Sequence, residues 1–284
     1  MLIGRDTPIS RVGLLRLLSV CCDLVDVAAH LDLALELADR ADEITVARFR
    51  ADDLVVTTKP DLTPVSEADH EVERAIRARL ADATGHAVLG EEFGSEPGSG
   101  AAADAEFRWI IDPIDGTKSY VRGIPIWATL IGLEHAGELV VGVVSAPALH
   151  TRWWAGKGLG AFRNGERISV SSVAALDDAQ LSLAWDTKER YDQDGIGDKM
   201  LALAHRCWRT RGLGDFWQHT LVAEGAVDIA LDPIVSSWDV AALVPIIDEA
   251  GGRWSTVEGA ADANGGSFVC TNGRLHDAVI AALA

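Results

Sequence analysis

Hydrophobic residues change their period along this 284-residue chain, and the changes mark out its elements. From His30 to Arg50, Leu31, Leu35 and Ala38 alternate with Leu33, Leu37, Ala41 and Ile44 at helical spacing, with charges between them. From Asp69 to Ala81, Val72, Ile76 and Leu80 form one stripe of a second amphipathic helix. The segment between them, Lys59 to Asp69, is polar and carries Pro60 and Pro64, which predicts a loop. Val88-Leu89-Gly90-Glu91-Glu92 predicts a short strand ending at a mobile Gly-rich loop, Gly94 to Ala103. Beyond it the period falls to two, predicting strands at Phe107–Ile111, Ala128–Glu134, Val140–Ser145, Trp153–Ala155 and Gly160–Arg163. Two helices followed by an antiparallel meander make an α+β half over residues 30–170.

The second half alternates differently. Strands at Leu181–Ala184, Arg209–Leu213 and Val227–Leu231 are interleaved with helices at Lys199–Cys207, Trp217–Glu224 and Asp239–Ala250, so residues 171–284 read as α/β units. The boundary falls near Ser171, and no internal repeat is visible. Ahead of the first helix, the apolar run Val12 to Val20 is interrupted by Arg16 and followed by Asp23 and Asp26. It is too short to span a membrane and has no clean cleavage site, so residues 1–29 read as a poorly packed leader, or as the product of a start codon set too far upstream.

Composition narrows the partners. A chain of this length with 48% hydrophobic residues can bury a large core. A formal charge of −18 argues against nucleic acid and acidic membranes, which select a Lys/Arg surplus. Cys21, Cys22, Cys207 and Cys270 show no metal-binding spacing, which predicts scattered core thiols in a reduced, cytoplasmic protein.

The acidity acquires a meaning at Trp109-Ile110-Ile111-Asp112-Pro113-Ile114-Asp115-Gly116-Thr117. Pro113 drives Asp112 towards extended geometry, so the strand ends in two carboxylates able to face one point. Hard oxygen donors suit Mg²⁺, which shares its shell with substrate phosphate oxygens. Gly116 permits close backbone approach and Thr117 can open a helix whose N–H groups hold an anion. An Asx turn closing an ordinary strand uses the same residues. Clustered carboxylates that would repel a phosphate become its binding site once they hold cations.

Three further acidic stations lie at junctions, each with an ordinary reading beside the chemical one. Asp69 can be a first-turn helix acid, Glu91-Glu92 a solvated pair, and Asp239 after Trp238 a helix N-cap. Taken together, Asp69, Glu91-Glu92, Asp112 to Thr117, and Asp239 followed after eleven residues by Gly251-Gly252 resemble the signature of the lithium-sensitive, magnesium-dependent phosphatase superfamily. That superfamily contains inositol monophosphatases and fructose-1,6-bisphosphatases, and the resemblance runs from about Leu31 to Ala284. Leu243 departs from the small residue usual in the pattern.

The resemblance implies a layered αβαβα sandwich with the site between its halves. It implies that Glu91, Asp112 and the Ile114 carbonyl hold one Mg²⁺, that Asp112, Asp115 and Asp239 hold a second, and that a third, weaker ion can bind near Glu91. Gly116 and Thr117 would take phosphate oxygens, and Asp69 with Thr117 would orient the attacking water. Glu92 is not expected to be a direct ligand. Homo-oligomers are usual in such a family, dimers being favoured here, with the apolar Ile124 to Ile131 segment as the candidate interface.

Outside the shared signature, Lys118-Ser119-Tyr120, Gly214-Asp215-Phe216-Trp217-Gln218-His219 and Leu231-Asp232-Pro233 resemble the histidinol-phosphate phosphatase branch. The implied reaction is hydrolysis of histidinol phosphate, a small-molecule phosphate monoester. Asp215 and Asp232 would take the ammonium and Trp217 or Trp127 would face the imidazole, with His219 nearby. Trp217 as plain core and His219 as a satisfied junction residue are the ordinary alternatives. Hydrolysis of inositol phosphates or related sugar or nucleotide phosphates, and a non-catalytic binder of phosphate or metal, are the competing functions.

Overall fold

The computed structural model describes residues 26–60, 62–98, 106–185 and 195–284. The leader up to residue 25, with Cys21 and Cys22, lies outside the described residues, as do Asp61 and residues 99–103 of the Gly-rich segment. Helix α1 (Val27–Arg48) starts ahead of His30 because the Asp26 carboxylate accepts the Ala29 N–H at 3.0 Å and caps it. Beside it lies α2 (Glu67–Ala83). The predicted loop between them contains a small ladder, β1 (Val56–Thr58) paired with β2 (Pro64–Ser66). The prolines exclude a helix, as expected, but Pro64 opens β2, where a missing N–H is tolerated in a two-stranded edge.

The meander forms one sheet, which among the described residues has eight strands in the order β10-β9-β8-β7-β6-β5-β3-β4. These are β3 (Ala87–Gly90), β4 (Gly94–Glu96), β5 (Phe107–Asp115), β6 (Ala128–His135), β7 (Glu138–Ala146), β8 (Thr151–Gly156), β9 (Gly160–Arg163) and β10 (Glu166–Arg167). Only β3 runs parallel to its neighbour β5; the other pairs are antiparallel. β4 turns the start of the predicted loop into an edge strand. Leu31, Leu37, Val72, Ile76 and Leu80 of the helices bury one face against Trp109, Ile111, Ile131, Leu133, Val141 and Val143. The interface expected at Ile124 to Ile131 is narrowed here: Ala128 to Ile131 belong to β6, buried between β5 and β7, and Trp127 is also buried, which leaves Ile124 and Pro125 as the exposed part of the segment.

The opposite face is covered by α5 (Asp215–Ala223) and α7 (Leu243–Glu249), whose Phe216, Val222, Ile246 and Ile247 join Leu130, Val144, Trp153 and Ala155 of the sheet. The far side of this helical layer meets a second sheet, ordered β12-β11-β13-β15-β14 among the described residues. Its strands are β11 (Gln180–Leu183), β12 (Arg209–Arg211), β13 (Ile229–Asp232), β14 (Arg253–Ser255) and β15 (Phe268–Thr271). An outer layer, α4 (Ile196–Ala204) and α8 (His276–Leu283), packs Met200, Leu203, Val279 and Leu283 on Leu181, Leu183, Ile229 and Val269. The layering is αβαβα. The reading of the second half as α/β units needs amending, because the pattern did not reveal β14 and β15, and β15 runs antiparallel to both its neighbours, β13 and β14.

The predicted helix from Asp239 to Ala250 is two helices. Pro245 has no N–H to give the Ala241 carbonyl, so α6 (Ser237–Val240) ends and α7 starts afresh. The joint, Ala241-Ala242, lies directly on the large sheet. A Cβ on Gly132 would come within 2.9 Å of Ala241, and one on Gly142 would overlap the Ala242 carbonyl oxygen. These two glycines on neighbouring strands therefore set how close the joint, and Asp239 just before it, comes to β5. Gly142→Val is expected to cost about 1–3 kcal/mol by overpacking, read as a lower urea midpoint with unchanged slope.

Two buried histidines load the second half. Burial pushes His276 down to about 4, and its ring nitrogens lie 3.3 Å from Thr271 Oγ1 and 3.1 Å from Ser255 Oγ. A histidine depressed in the folded state leaves the unfolded chain to bind the extra proton, so stability is lost as pH falls from about 6.5 to about 4. Thermal melts across that range should show a shallower acid loss in His276→Gln than in the unmodified chain.

Candidate metal and phosphate site

The end of β5 is irregular by construction. Its register with β6 shifts between Asp112 and Asp115, and Thr129 Oγ1 donates to the Pro113 carbonyl at 2.8 Å, fixing the bulge. Asp112 Oδ1 accepts the Ile114 N–H at 3.0 Å, so the ordinary Asx turn is present. It leaves the second oxygen of Asp112 outside the turn. Asp115 Oδ2 accepts the Phe216 N–H at 2.6 Å across the start of α5. Asp239 sits in the first turn of α6, where its carboxylate accepts the Ser236 N–H at 2.7 Å. The N-cap expected of Asp239 is Ser236 instead, with Asp239 at the third helical position of a capping box, and one oxygen from each of Asp112, Asp115 and Asp239 lies within 4.8 Å of the others.

Three carboxylates in so small a volume repel one another. Burial, reinforced by neighbouring carboxylates, holds Asp112 and Asp115 well above the usual carboxylate range and pushes Asp239 up to about 7. A divalent cation reverses that penalty, and an all-oxygen donor set fits Mg²⁺. Glu91 stands beside this group rather than inside it. Its carboxyl hydrogen-bonds Asp112, and its Oε1 accepts Lys59 Nζ at 2.7 Å. Lys59 also donates to Glu92 at 2.6 Å, and burial raises Glu92 to about 7. The contact of Lys59 was missed in the sequence, where it was simply the first residue of a polar loop.

Asp69 is buried in the first turn of α2. Its Oδ2 accepts Ser66 N–H at 2.9 Å and Ser66 Oγ at 2.6 Å, while Oδ1 accepts Thr117 Oγ1 at 3.2 Å. Burial raises its carboxyl above the usual range. The Thr117 hydroxyl also lies 2.8 Å from the Ile114 carbonyl. Gly116 has φ +81° and leads into the short helix α3 (Thr117–Val121). A Cβ there would meet the Ile126 carbonyl at 2.9 Å and Asp215 Oδ2 at 3.3 Å, so glycine is required twice over.

Two adjoining cavities share Lys118, Asp215 and Asp239 on their walls. One, of about 260 Å³, is also bounded by Glu91, Gly116 and Thr117; the other, of about 480 Å³, extends to His219, Asp232 and Trp185. Asp215 has φ +47° and is exposed. His219 is buried, is pushed down to about 3 by burial, and has Nδ1 3.2 Å from Cys270 Sγ. Neither tryptophan expected to face a substrate ring lines this cavity. Trp127 is buried against Phe49 and Tyr120, and Trp217 packs on the central core. The aromatics that do line it are Phe216, which is buried, and Trp185, 49% exposed, at the position following the predicted strand end.

Comparison with known proteins agrees with this architecture. The model of the inositol monophosphatase family matches residues 10–284, starting ahead of Leu31, where the motif resemblance begins. A histidinol-phosphatase of Mycobacterium tuberculosis is 51% identical over 257 residues, covering 88% of this chain and 96% of that protein. One of Streptomyces coelicolor is 47% identical, covering 90% and 97%. Among solved structures, an IMPase of Thermotoga maritima superposes with a TM-score of 0.79 at 31% identity, covering 90% of this chain and 96% of the other.

Charge repulsion in the carboxylate cluster makes a direct prediction. In chelator-treated protein at pH 8, Asp115→Asn should raise the thermal midpoint, because it removes one of three crowded charges. The same substitution should abolish most of the upward shift that millimolar Mg²⁺ gives the unmodified chain. A substitution that lowers the chelated midpoint and keeps the Mg²⁺ shift would remove Asp115 from the cation site.

Proposed function

The chain is a phosphatase of the inositol monophosphatase family, and from that premise we propose that it hydrolyses histidinol phosphate to histidinol and phosphate with Mg²⁺ as cofactor. The observation that carries the substrate is the 51% and 47% identity, over nearly the full length of each, to proteins named histidinol-phosphatase. The division near residue 171 belongs to the same reading: the first sheet ends at Arg167 and the second begins at Gln180.

In this reading Glu91, Asp112 and the Ile114 carbonyl hold one Mg²⁺, Asp112, Asp115 and Asp239 hold a second, and a third, weaker ion binds near Glu91. Bound there, Mg²⁺ supplies positive charge to the phosphoryl oxygens and acidifies water in the site. The chain's own groups do the positioning. The Thr117 hydroxyl lies between the Ile114 carbonyl and Asp69 Oδ1; with its proton turned to Asp69, its lone pairs accept from the attacking water and aim it. The raised carboxyl of Asp69 has the proton affinity to receive what Thr117 passes on. The N–H groups of Gly116 and Thr117 at the opening of α3, which have no preceding helical carbonyl, take phosphate oxygens.

The remainder of the substrate lies in the larger cavity. Asp215 and Asp232 receive the ammonium, and Trp185 takes the ring-facing role first given to Trp217 or Trp127. His219, neutral down to low pH, contributes a wall that does not repel a cation. A second reading, hydrolysis of inositol phosphates, is favoured by the 35% identity to the inositol-1-monophosphatase of Rhizobium meliloti.

Phosphate release from a panel of esters with Mg²⁺ separates the two. Histidinol phosphate should exceed inositol 1-phosphate in kcat/KM by about a hundredfold or more, since a site built for a charged donor rejects a ligand lacking it. Asp232→Asn should raise KM for histidinol phosphate about tenfold or more. Equal kcat/KM on the two esters would reject the substrate.

A further inference from the structure

One buried charge near the site has no part in the chemistry above. Glu73 lies one helical turn after Asp69 on α2 and is completely buried, an expensive place for a carboxylate unless it is fully paired. Its partners form two sets. On one side Arg77 donates Nε at 2.8 Å and places Nη2 at 2.7 Å. On the other side, Oε2 accepts the Glu92 N–H at 2.8 Å and Oε1 the Phe93 N–H at 3.2 Å.

Those two amides follow Glu91 directly. The chain leaves β3 at Gly90, the Glu91 N–H donates to the Ile111 carbonyl of β5 at 3.2 Å, and the next two N–H groups point into the Glu73 carboxylate. Arg77 extends the grip to the returning strand, donating to the Gly94 carbonyl and to Glu96 at 3.1 Å. Gly90 completes the arrangement: any Cβ there would overlap the Glu73 carboxylate, so the glycine is demanded by Glu73. The turn that presents Glu91 beside Asp112 is thus held by β5 on one side and by an ion pair on α2 on the other.

We propose that Glu73 is a positioning residue for Glu91, fixing through the Glu92 and Phe93 amides the backbone that aims the Glu91 carboxylate at the cation site. The inference rests on the metal-site reading above. α2 then carries two inward carboxylates one turn apart: Asp69 engages the Thr117 hydroxyl, and Glu73 holds the Glu91 turn. Removing the charge on Glu73 loosens a metal-directed group without touching the phosphate cradle.

The test is Mn²⁺ titration of the whole purified chain by calorimetry, with thermal melts of the chelated protein alongside. Glu73→Gln should weaken Mn²⁺ affinity about 10–100-fold, the usual loss when a group behind a metal ligand is removed. The metal concentration for half-maximal phosphate release should rise by the same factor, with kcat at saturating Mn²⁺ recovering to near the unmodified value. Gly90→Ala, which attacks the same contact from the other side, should also weaken Mn²⁺ binding in the unmodified background. It should add nothing in a Glu73→Ala background, where the overlap is gone. Lowered melting points with unchanged Mn²⁺ affinity in both single variants would overturn the proposal, leaving Glu73 a purely structural ion pair. An unmodified chain that binds no Mn²⁺ would fail the metal-site reading itself, a result visible before any variant is made.

Discussion

The constraint on which this structure turns is the mutual repulsion of carboxylates brought together at the end of β5. Asp112 and Asp115 reach one point because a proline and a bulge kink the strand, and Asp239 reaches it from far along the chain. No single backbone segment can supply such a cluster. The surroundings consist largely of devices that hold acids where they repel: backbone amides from Ile114, Phe216 and Ser236, the Lys59 ammonium, and the Ser66 hydroxyl. Asp112 and Asp239 each accept a nearby backbone N–H, and Asp115 accepts that of distant Phe216. For Asp112 a local turn role and a place in the cluster are therefore compatible, and for Asp239 the same holds for its place in a capping box.

The layered architecture exists to make that meeting possible. A sheet alone would end in two aspartates facing solvent. The helical layer lodged between two sheets delivers Asp239 through a broken helix whose joint rests on Gly132 and Gly142, and α5 delivers an amide to Asp115. The residues proposed to face the substrate follow the same logic. Asp215, His219, Asp232 and Trp185 come from the second half and wall a cavity that shares Asp115 and Asp239 with the acidic cluster.

Sequence periodicity made most of the elements legible, and motif spacing made the acids legible, because both depend on local rules. The pattern of Leu31, Leu37 and Ala41 or of Val140 to Ser145 needs no knowledge of the partner surface. What stayed hidden depends on distant contacts. The break at Ala241-Ala242 is caused partly by Pro245, which is visible, and partly by a sheet surface that is not. β14 and β15 are short and flanked by polar turns, so their pattern carries little signal. Trp127 and Trp217 looked available for a ligand because an aromatic in a polar neighbourhood reads alike whether it faces a cavity or a core. Trp185 was overlooked for the opposite reason, lying just past a strand end. Glu73 belongs to no motif, and only the turn it grips gives it a role.

The Asp239 joint has a consequence for how the protein comes into being. In chain order every described strand of the large sheet, and α1 and α2 on one face of it, precede the helical layer that covers the other face, so a chain emerging from synthesis presents that face before its cover exists. In that interval Asp112 and Asp115 stand at the strand end without Asp239, and the grooves over Gly132 and Gly142 are open to any backbone. Such non-local closure is slow relative to local folding, and it leaves apolar sheet surface exposed meanwhile. Completion of the acidic centre and burial of that surface are then a single event, so a newly made chain acquires its reactive site only when it has also ceased to be sticky.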